Sequence, residues 1–304
     1  MNIHAYATTD IVKQYLAGTN HASAWQADEP IMYRQILAAS KRIDQFVGRS
    51  FGPRLEDHVF DLGRGTLRSD ASRSSGVALK LGSPPIGIVP FDDWLVTPNT
   101  VTAYNGSDQS SSETLVEGLA NDYILEPYNR TPKVKLKLSE NSTKTLGAGQ
   151  QTLSVLGYWG YSYDVLPLTT LSADINSTVT SFDLSSSTAG EAGQTLKIED
   201  EMLHVISVSG ATITVIRGVN GTTAAAHVAV SAPVYIVNYP YDVVDACVSI
   251  VKARMNERQA GLGQNIALPE MGMTVSRPGS EEMSILNRLK HGYRRDLPQA
   301  GVYF

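Results

Sequence analysis

A single cysteine, Cys247, stands in a chain of 304 residues. No internal disulfide is available, so packing must hold the fold, and a reducing compartment is the natural place of synthesis. Charge is scarce as well, at 18% of residues against 42% hydrophobic. Neither sign dominates: 25 Lys and Arg face 30 Asp and Glu, net −5. That balance excludes a broad basic surface and, with it, tight DNA binding by the whole chain through counterion release. No uncharged apolar run is long enough to span a bilayer, and the opening MNIHAYATTD lacks the charged and apolar regions of a signal peptide, so neither membrane insertion nor secretion by that route is expected.

Catalytic signatures are missing too. The six histidines, His4, His21, His58, His204, His227 and His291, include no pair at HxxxH spacing, and a lone cysteine leaves a structural zinc site nothing to be built from. There is no GxxxxGK[ST], no GxGxxG opening a helix and no GxSxG elbow. Glu199, Asp200 and Glu201 lack the spaced ligand loop of a calcium site and read as a turn. The expectation is a protein that is not an enzyme, with no catalytic residue, metal or cofactor.

What is present begins with helical periodicity. Asp10 is placed to cap a short helix near 10–17, and Asp28 with Pro30 opens a longer one over 29–47, whose Met32, Ile36, Ala39, Ile43, Phe46 and Val47 form one apolar stripe that ends at Gly48. Helices recur near 242–259, where Cys247 lies on the apolar stripe as a core residue, and near 281–291, with acids first and Lys290 and His291 last. Between 56 and 160 the period drops to two, giving a series of short antiparallel strands. In KVKLKL the residues Lys133, Lys135 and Lys137 share one face, which suits either a phosphate backbone or a wet sheet face; the wet face is the reading preferred.

Composition shifts at Pro167. Residues 169–188 are Ser or Thr at 11 of 20 positions, and 167–238 holds two basic residues against six acidic ones, net −4, leaving net −1 for the remainder. We read 167–238 as a small all-β domain inserted into a discontinuous parent, 1–166 and 239–304, with 293–304 as an extended C-terminal tail. Within the insert, RGVNGTTAAAH places Arg217, Gly218, Gly221, Thr222 and His227 around a turn. A ligand contact by Arg217 and His227 is one reading, and a loop fastened by their hydrogen bonds is the favoured one. The fold class expected is α+β: a helical core with an antiparallel β section, plus the inserted β domain. Excising the insert is expected to leave the parent standing.

The order of these elements carries a resemblance. ASKRIDQFVGRSFGP (39–53), LKLGSPPI (79–86), DYIL (122–125), a strand ending GYWGY and a helix after a proline resemble the head-tail connector, or adaptor, proteins of tailed bacteriophages. The insert, on Glu201, Arg217, Gly218, Gly221, Thr222 and His227, is similar to a small β module of phage structural proteins. The resemblance implies a virion protein of the neck, made in the host bacterial cytoplasm. It implies a homo-oligomeric ring of twelve copies docked on the portal and meeting a stopper or tail-completion protein. Double-stranded DNA would pass through that ring without tight binding. Carried to this chain, portal contact falls on Tyr293, Arg294, Arg295, Leu297, Val302, Tyr303 and Phe304. Candidates for the DNA channel are Lys133, Lys135, Lys137, Arg64, Arg68 and Arg73. The alternative is a tail-associated carbohydrate-binding or adhesin-like module.

Overall fold

Two separate hydrophobic clusters are lined by β-strands, and a further set of fully buried side chains, among them Met32, Ile36, Ile43, Cys247, Val251 and Leu286, lies on helical segments. The structure is a computed structural model that describes residues 1–16, 29–62, 79–80, 88–104, 109–139, 142, 144–146, 149–186, 190–229, 232–259 and 280–293. The described residues divide into two compact units, one built from 1–51 and 164–293, the other from 52–163.

The Gly52–Tyr163 unit holds β1 (Arg54–Leu62), β2 (Leu79–Lys80), β3 (Ile88–Tyr104), β4 (Ser112–Leu115), β5 (Tyr123–Glu126), β6 (Lys133–Leu138), β7 (Thr145–Leu146) and β8 (Gly149–Trp159). Six of these form one antiparallel sheet in the order β1-β8-β3-β6-β5, with β4 also on β3, while β2 and β7 pair by themselves. Alternation decides which face is buried: Phe60, Leu153, Val155, Trp159, Val101, Leu136 and Leu138 point to one side. Trp159 is fully buried, stacks on His58 with ring centroids 3.9 Å apart, and donates its indole N–H to the carbonyl of Glu56 at 3.1 Å. The long strand β3 pairs first with β6 and then with β8, and its register shifts around Thr97 and Pro98 allow the bend.

In the other unit, α1 (Thr9–Leu16), α2 (Glu29–Val47), α3 (Tyr241–Gln259) and α4 (Ser280–Gly292) accompany a second six-stranded antiparallel sheet. Its strands are β9 (Asp164–Thr170), β10 (Ser181–Asp183), β11 (Thr195–Ile198), β12 (Glu201–Ser209), β13 (Thr212–Ile216) and β14 (Pro233–Asn238), ordered β10-β13-β12-β11-β14-β9. The core of this sheet includes Leu196, Ile198, Leu203, Val205, Ile213, Val215 and Val234. Thr8, not Asp10, caps α1, its hydroxyl accepting the Ile11 N–H at 3.2 Å. Gly48 ends α2 at φ 78°, as a left-handed stop requires.

The expected helical core is overturned. Two six-stranded antiparallel sheets dominate, and the four helices seen among the described residues are the minor component. The reason is that each sheet buries an apolar face of its own. The helical stripes are buried as well, Met32, Ile36 and Ile43 on α2 and Cys247, Val248 and Val251 on α3, but they belong to one unit only. The second sheet begins three residues before Pro167. Strand β9 begins at Asp164 and runs through Pro167, which sits on an edge strand opposite Tyr235 at a register shift, where a missing N–H costs least.

The N-terminal segment joins helices to sheet within this unit. Tyr6 is buried among α2 residues and Tyr239: its N–H donates to Ser40 Oγ at 2.9 Å, its hydroxyl donates to Asp44, and that hydroxyl accepts the Phe51 N–H at 3.0 Å. On the sheet side, Ile3 N–H donates to Asn220 Oδ1 at 2.8 Å, Thr8 Oγ1 donates to Glu191 at 2.6 Å, and Thr9 N–H donates to the Ala192 carbonyl at 3.1 Å. Ala5, Tyr6 and Ala7 are buried along this path.

Candidate functional site

The tight turn at 199–200 delivers Glu201 to the start of β12 with its side chain wholly inaccessible. Five N–H groups converge on its carboxylate. Arg217 donates through Nε to Oε1 at 2.6 Å and through Nη2 to Oε2 at 2.7 Å, a planar two-point match. The Gly218 and Ala225 N–H groups donate at 3.0 Å each, and His227 Nε2 lies 2.8 Å away. Burial pushes the Glu201 carboxyl up, but Arg217, the Ala225 amide and His227 outweigh it and hold it below the usual carboxylate range.

The remaining donors of the cluster are used as well. Arg217 Nη1 donates to the carbonyls of Asn176 and Val179 at 3.0 and 2.8 Å, and Nη2 to that of Ala225 at 2.5 Å. His227 Nδ1 faces Glu199 at 2.8 Å. Thr222 Oγ1 donates to the Val219 carbonyl and accepts the Met202 N–H. The turn needs positive φ at Asn220 (57°) and Gly221 (83°). Gly218 needs it too, at φ 59°, where an added Cβ would lie 2.9 Å from the Ala224 nitrogen. Arg217, Gly218, Gly221, Thr222 and His227 thus surround one carboxylate as a closed clasp. The guanidinium of Arg217 and both ring nitrogens of His227 are engaged within the cluster.

Cys247 packs in the helix cluster 3.6 Å from Ser40 Oγ, and burial pushes its thiol up to about 12, so it is no nucleophile at neutral pH. Among the described residues no three His, Cys, Asp or Glu side chains are grouped to hold a metal, and no helix is long and apolar enough to cross a membrane. Of the aromatic residues in the 167–238 segment, Phe182 lies in the β core and Tyr235 is half-buried.

His204 on β12 is fully buried against α2, with Nε2 2.8 Å from the Tyr33 hydroxyl and Nδ1 lacking a hydrogen-bond partner. Burial lowers its pKa to about 4. In the unfolded chain the same ring titrates near ~6.5. Below that value the unfolded state takes up a proton that the folded state refuses. Stability is therefore complete above about pH 6.5 and falls as pH drops toward 4, by about 3 kcal/mol in all. Urea unfolding at pH 7, 6, 5 and 4 should show this loss, and His204→Gln should remove that part of it; parallel curves for the two proteins would exclude His204 as the cause.

The expected surface residues divide. Lys133, Lys135 and Lys137 do lie on the face of β6 opposite buried Leu136 and Leu138. Lys133 donates to the carbonyls of Pro127 (2.7 Å) and Tyr128 (3.1 Å), and Lys135 pairs with Glu126 at 2.6 Å. Two of the three charges are thus partly committed at home. Tyr293 follows α4, its hydroxyl donating to Asp242 at 2.6 Å and its ring meeting Phe51 edge-on at 4.8 Å. Arg64, Arg68, Arg73, Arg294, Arg295, Leu297, Val302, Tyr303 and Phe304 lie outside the described residues.

Some prominent surface residues escaped the sequence reading. The β4–β5 loop exposes Leu119 (73%) and Val116 (54%), and side-chain hydrogen bonds fasten it. Asp122 accepts the Val116 N–H at 2.9 Å and the Ser142 hydroxyl at 2.6 Å, while Ser139 Oγ donates to the Leu119 carbonyl at 2.6 Å. The sequence signal was the run LVEGLAND, two apolar residues flanking a glycine before a turn-forming Asn-Asp. No protein-family model matches the chain, and no curated protein matches it.

Proposed function

We propose that this protein is a structural component of a phage neck, forming a ring that docks on the portal and carries the DNA channel from head to tail. The observation that supports it best is the role of the residues in the ASKRIDQFVGRSFGP pattern. Ser40, Asp44 and Phe51 are the groups that fasten buried Tyr6, and Gly48 ends the helix, so the pattern reflects a specific packing arrangement and not composition alone. Outside 167–238 the chain is nearly neutral. That suits a conduit through which DNA slides, since each neutralised phosphate adds a salt-sensitive grip.

In this reading the segment after Gly292 is the portal-binding arm, with Tyr293, Arg294, Arg295, Leu297, Val302, Tyr303 and Phe304 as its contacts. A short arm binds weakly once its ordering cost is met, but a ring presents many arms to a symmetric partner, and avidity raises binding by ~10² or more. The test is the mass in solution by light scattering, with and without the portal of the same phage, for the full chain and for a version ending at Gly292. The full chain is expected to form a ring-sized complex with portal, and the truncated chain to lose it. A full-length protein indifferent to portal would overturn the reading.

A further inference from the structure

An asparagine followed by a glycine readily loses its side-chain amide. The glycine nitrogen attacks the asparagine Cγ, ammonia leaves, and water opens the resulting succinimide to aspartate or isoaspartate. Such a pair, Asn220-Gly221, forms the turn of the clasp, with φ of 57° and 83°. Gly221 is exposed, whereas Asn220 is fully buried. The start of the chain holds Asn220 in place. Its N–H donates to the Met1 carbonyl at 2.9 Å, its Oδ1 accepts the Ile3 N–H at 2.8 Å, and its Nδ2 lies 3.8 Å from Met202 Sδ. Main chain and side chain are thus both tied to the first three residues, and a terminus is where local opening costs least.

We infer that Asn220-Gly221 is a site of spontaneous deamidation latched by residues 1–3, protected while the N-terminal segment is docked and reactive once that segment lifts away. With Oδ1 tied to Ile3, the side chain is not free to swing its Cγ onto the Gly221 nitrogen. Lifting the segment frees it, and Gly221, with no side chain of its own, leaves its nitrogen unhindered. The product does not rebuild the turn. Isoaspartate adds a methylene to the main chain between two positive-φ positions. The next residue, Thr222, accepts the Met202 N–H and donates to the Val219 carbonyl, so the added length strains those bonds as well. A transient opening of the N-terminal segment is thereby made permanent, and the helices lose one of their ties to the sheet. The inference is independent of the neck reading.

The test is peptide mapping by mass spectrometry on the full chain held in mildly alkaline buffer, following conversion at position 220 and separating aspartate from isoaspartate. Ile3→Pro removes the N–H that holds Oδ1 and is expected to raise the conversion rate at least about fivefold, the equivalent of one hydrogen bond. Deleting residues 2–4 should raise it further, toward the rate of the urea-unfolded chain. Circular dichroism melts identify the variants that remain folded. The wild type supplies a measurement that needs no variant. Across a series of urea concentrations its conversion rate should rise less steeply than global unfolding does, since lifting three residues exposes little surface. Equal rates in the wild type and the folded variants would overturn the latch, and so would a wild-type rate that follows the global unfolding curve. A folded wild-type chain that converts as fast as the unfolded one would show that docking gives no protection, with the same consequence.

Discussion

Arg217→Ala is expected to destabilise the β9–β14 sheet by about 3–5 kcal/mol, the usual cost of stripping one partner from a buried ion pair. The magnitude follows from what is left behind. Glu201 would remain inaccessible with its charge reduced to two backbone N–H groups and His227 for company, and the carbonyls of Asn176, Val179 and Ala225 would each lose a donor. Glu201→Gln should cost a similar amount, by leaving the Arg217 guanidinium buried and unpaired. Arg217→Lys should recover little, since a point charge cannot reproduce the two-point match. Hydrogen exchange localises the effect: amides of β11, β12 and β13 should open in the variants while those of β1, β3 and β8 keep wild-type protection. Equal protection throughout would mean the clasp contributes no stability. The acid behaviour has a definite sign. Because the Glu201 carboxyl is held below its unfolded value, its contribution is complete above about pH 4.3 and is lost as pH falls through the folded value, a step that Glu201→Gln should lack.

Excision of residues 168–238 with a short linker is expected to cost the helices at least about 4 kcal/mol, counting roughly 1 kcal/mol for each of four lost hydrogen bonds. The deletion removes Asn220, Glu191, Ala192 and His204, the partners of Ile3, Thr8, Thr9 and Tyr33. It also uncovers Ala5 and Ala7 along the N-terminal segment. Such a loss approaches the whole stability of an ordinary domain. The helical circular dichroism signal should melt well below the wild-type temperature or fail to form. A helical signal that melts at the wild-type temperature would show that the β9–β14 sheet is dispensable, as the composition of the segment alone had led us to expect.

What local patterns reach and what they miss is a matter of range. Helix α2 was legible because its stripe of Met32, Ile36, Ala39 and Ile43 is a local pattern, and β6 because its lysines and leucines alternate. Nothing local says that Ser40 and Asp44, polar residues on the same helix, face inward to hold Tyr6. Pro167 shows a related limit: a proline suggests an interruption, yet an edge strand at a register shift accepts one. In the clasp, the asparagine-glycine turn and the neighbouring Arg217 and His227 were visible as a fastened loop. That Glu201 is the carboxylate at its centre, and Glu199 only its rim, depends on the pairing of β12 with β13 and on a loop returning from Ala225.

By itself, then, the sequence determined where the chain forms helices, strands and tight turns, because periodicity, capping and positive-φ residues act over a few neighbours. Only the tertiary structure decided that two six-stranded sheets outweigh the helices and that the first nine residues bind helices to sheet. Those outcomes rest on contacts between residues tens to hundreds of positions apart, such as Ile3 with Asn220 and Tyr33 with His204. The free energy of such contacts comes from burial and hydrogen bonding that exist only after the strands have paired.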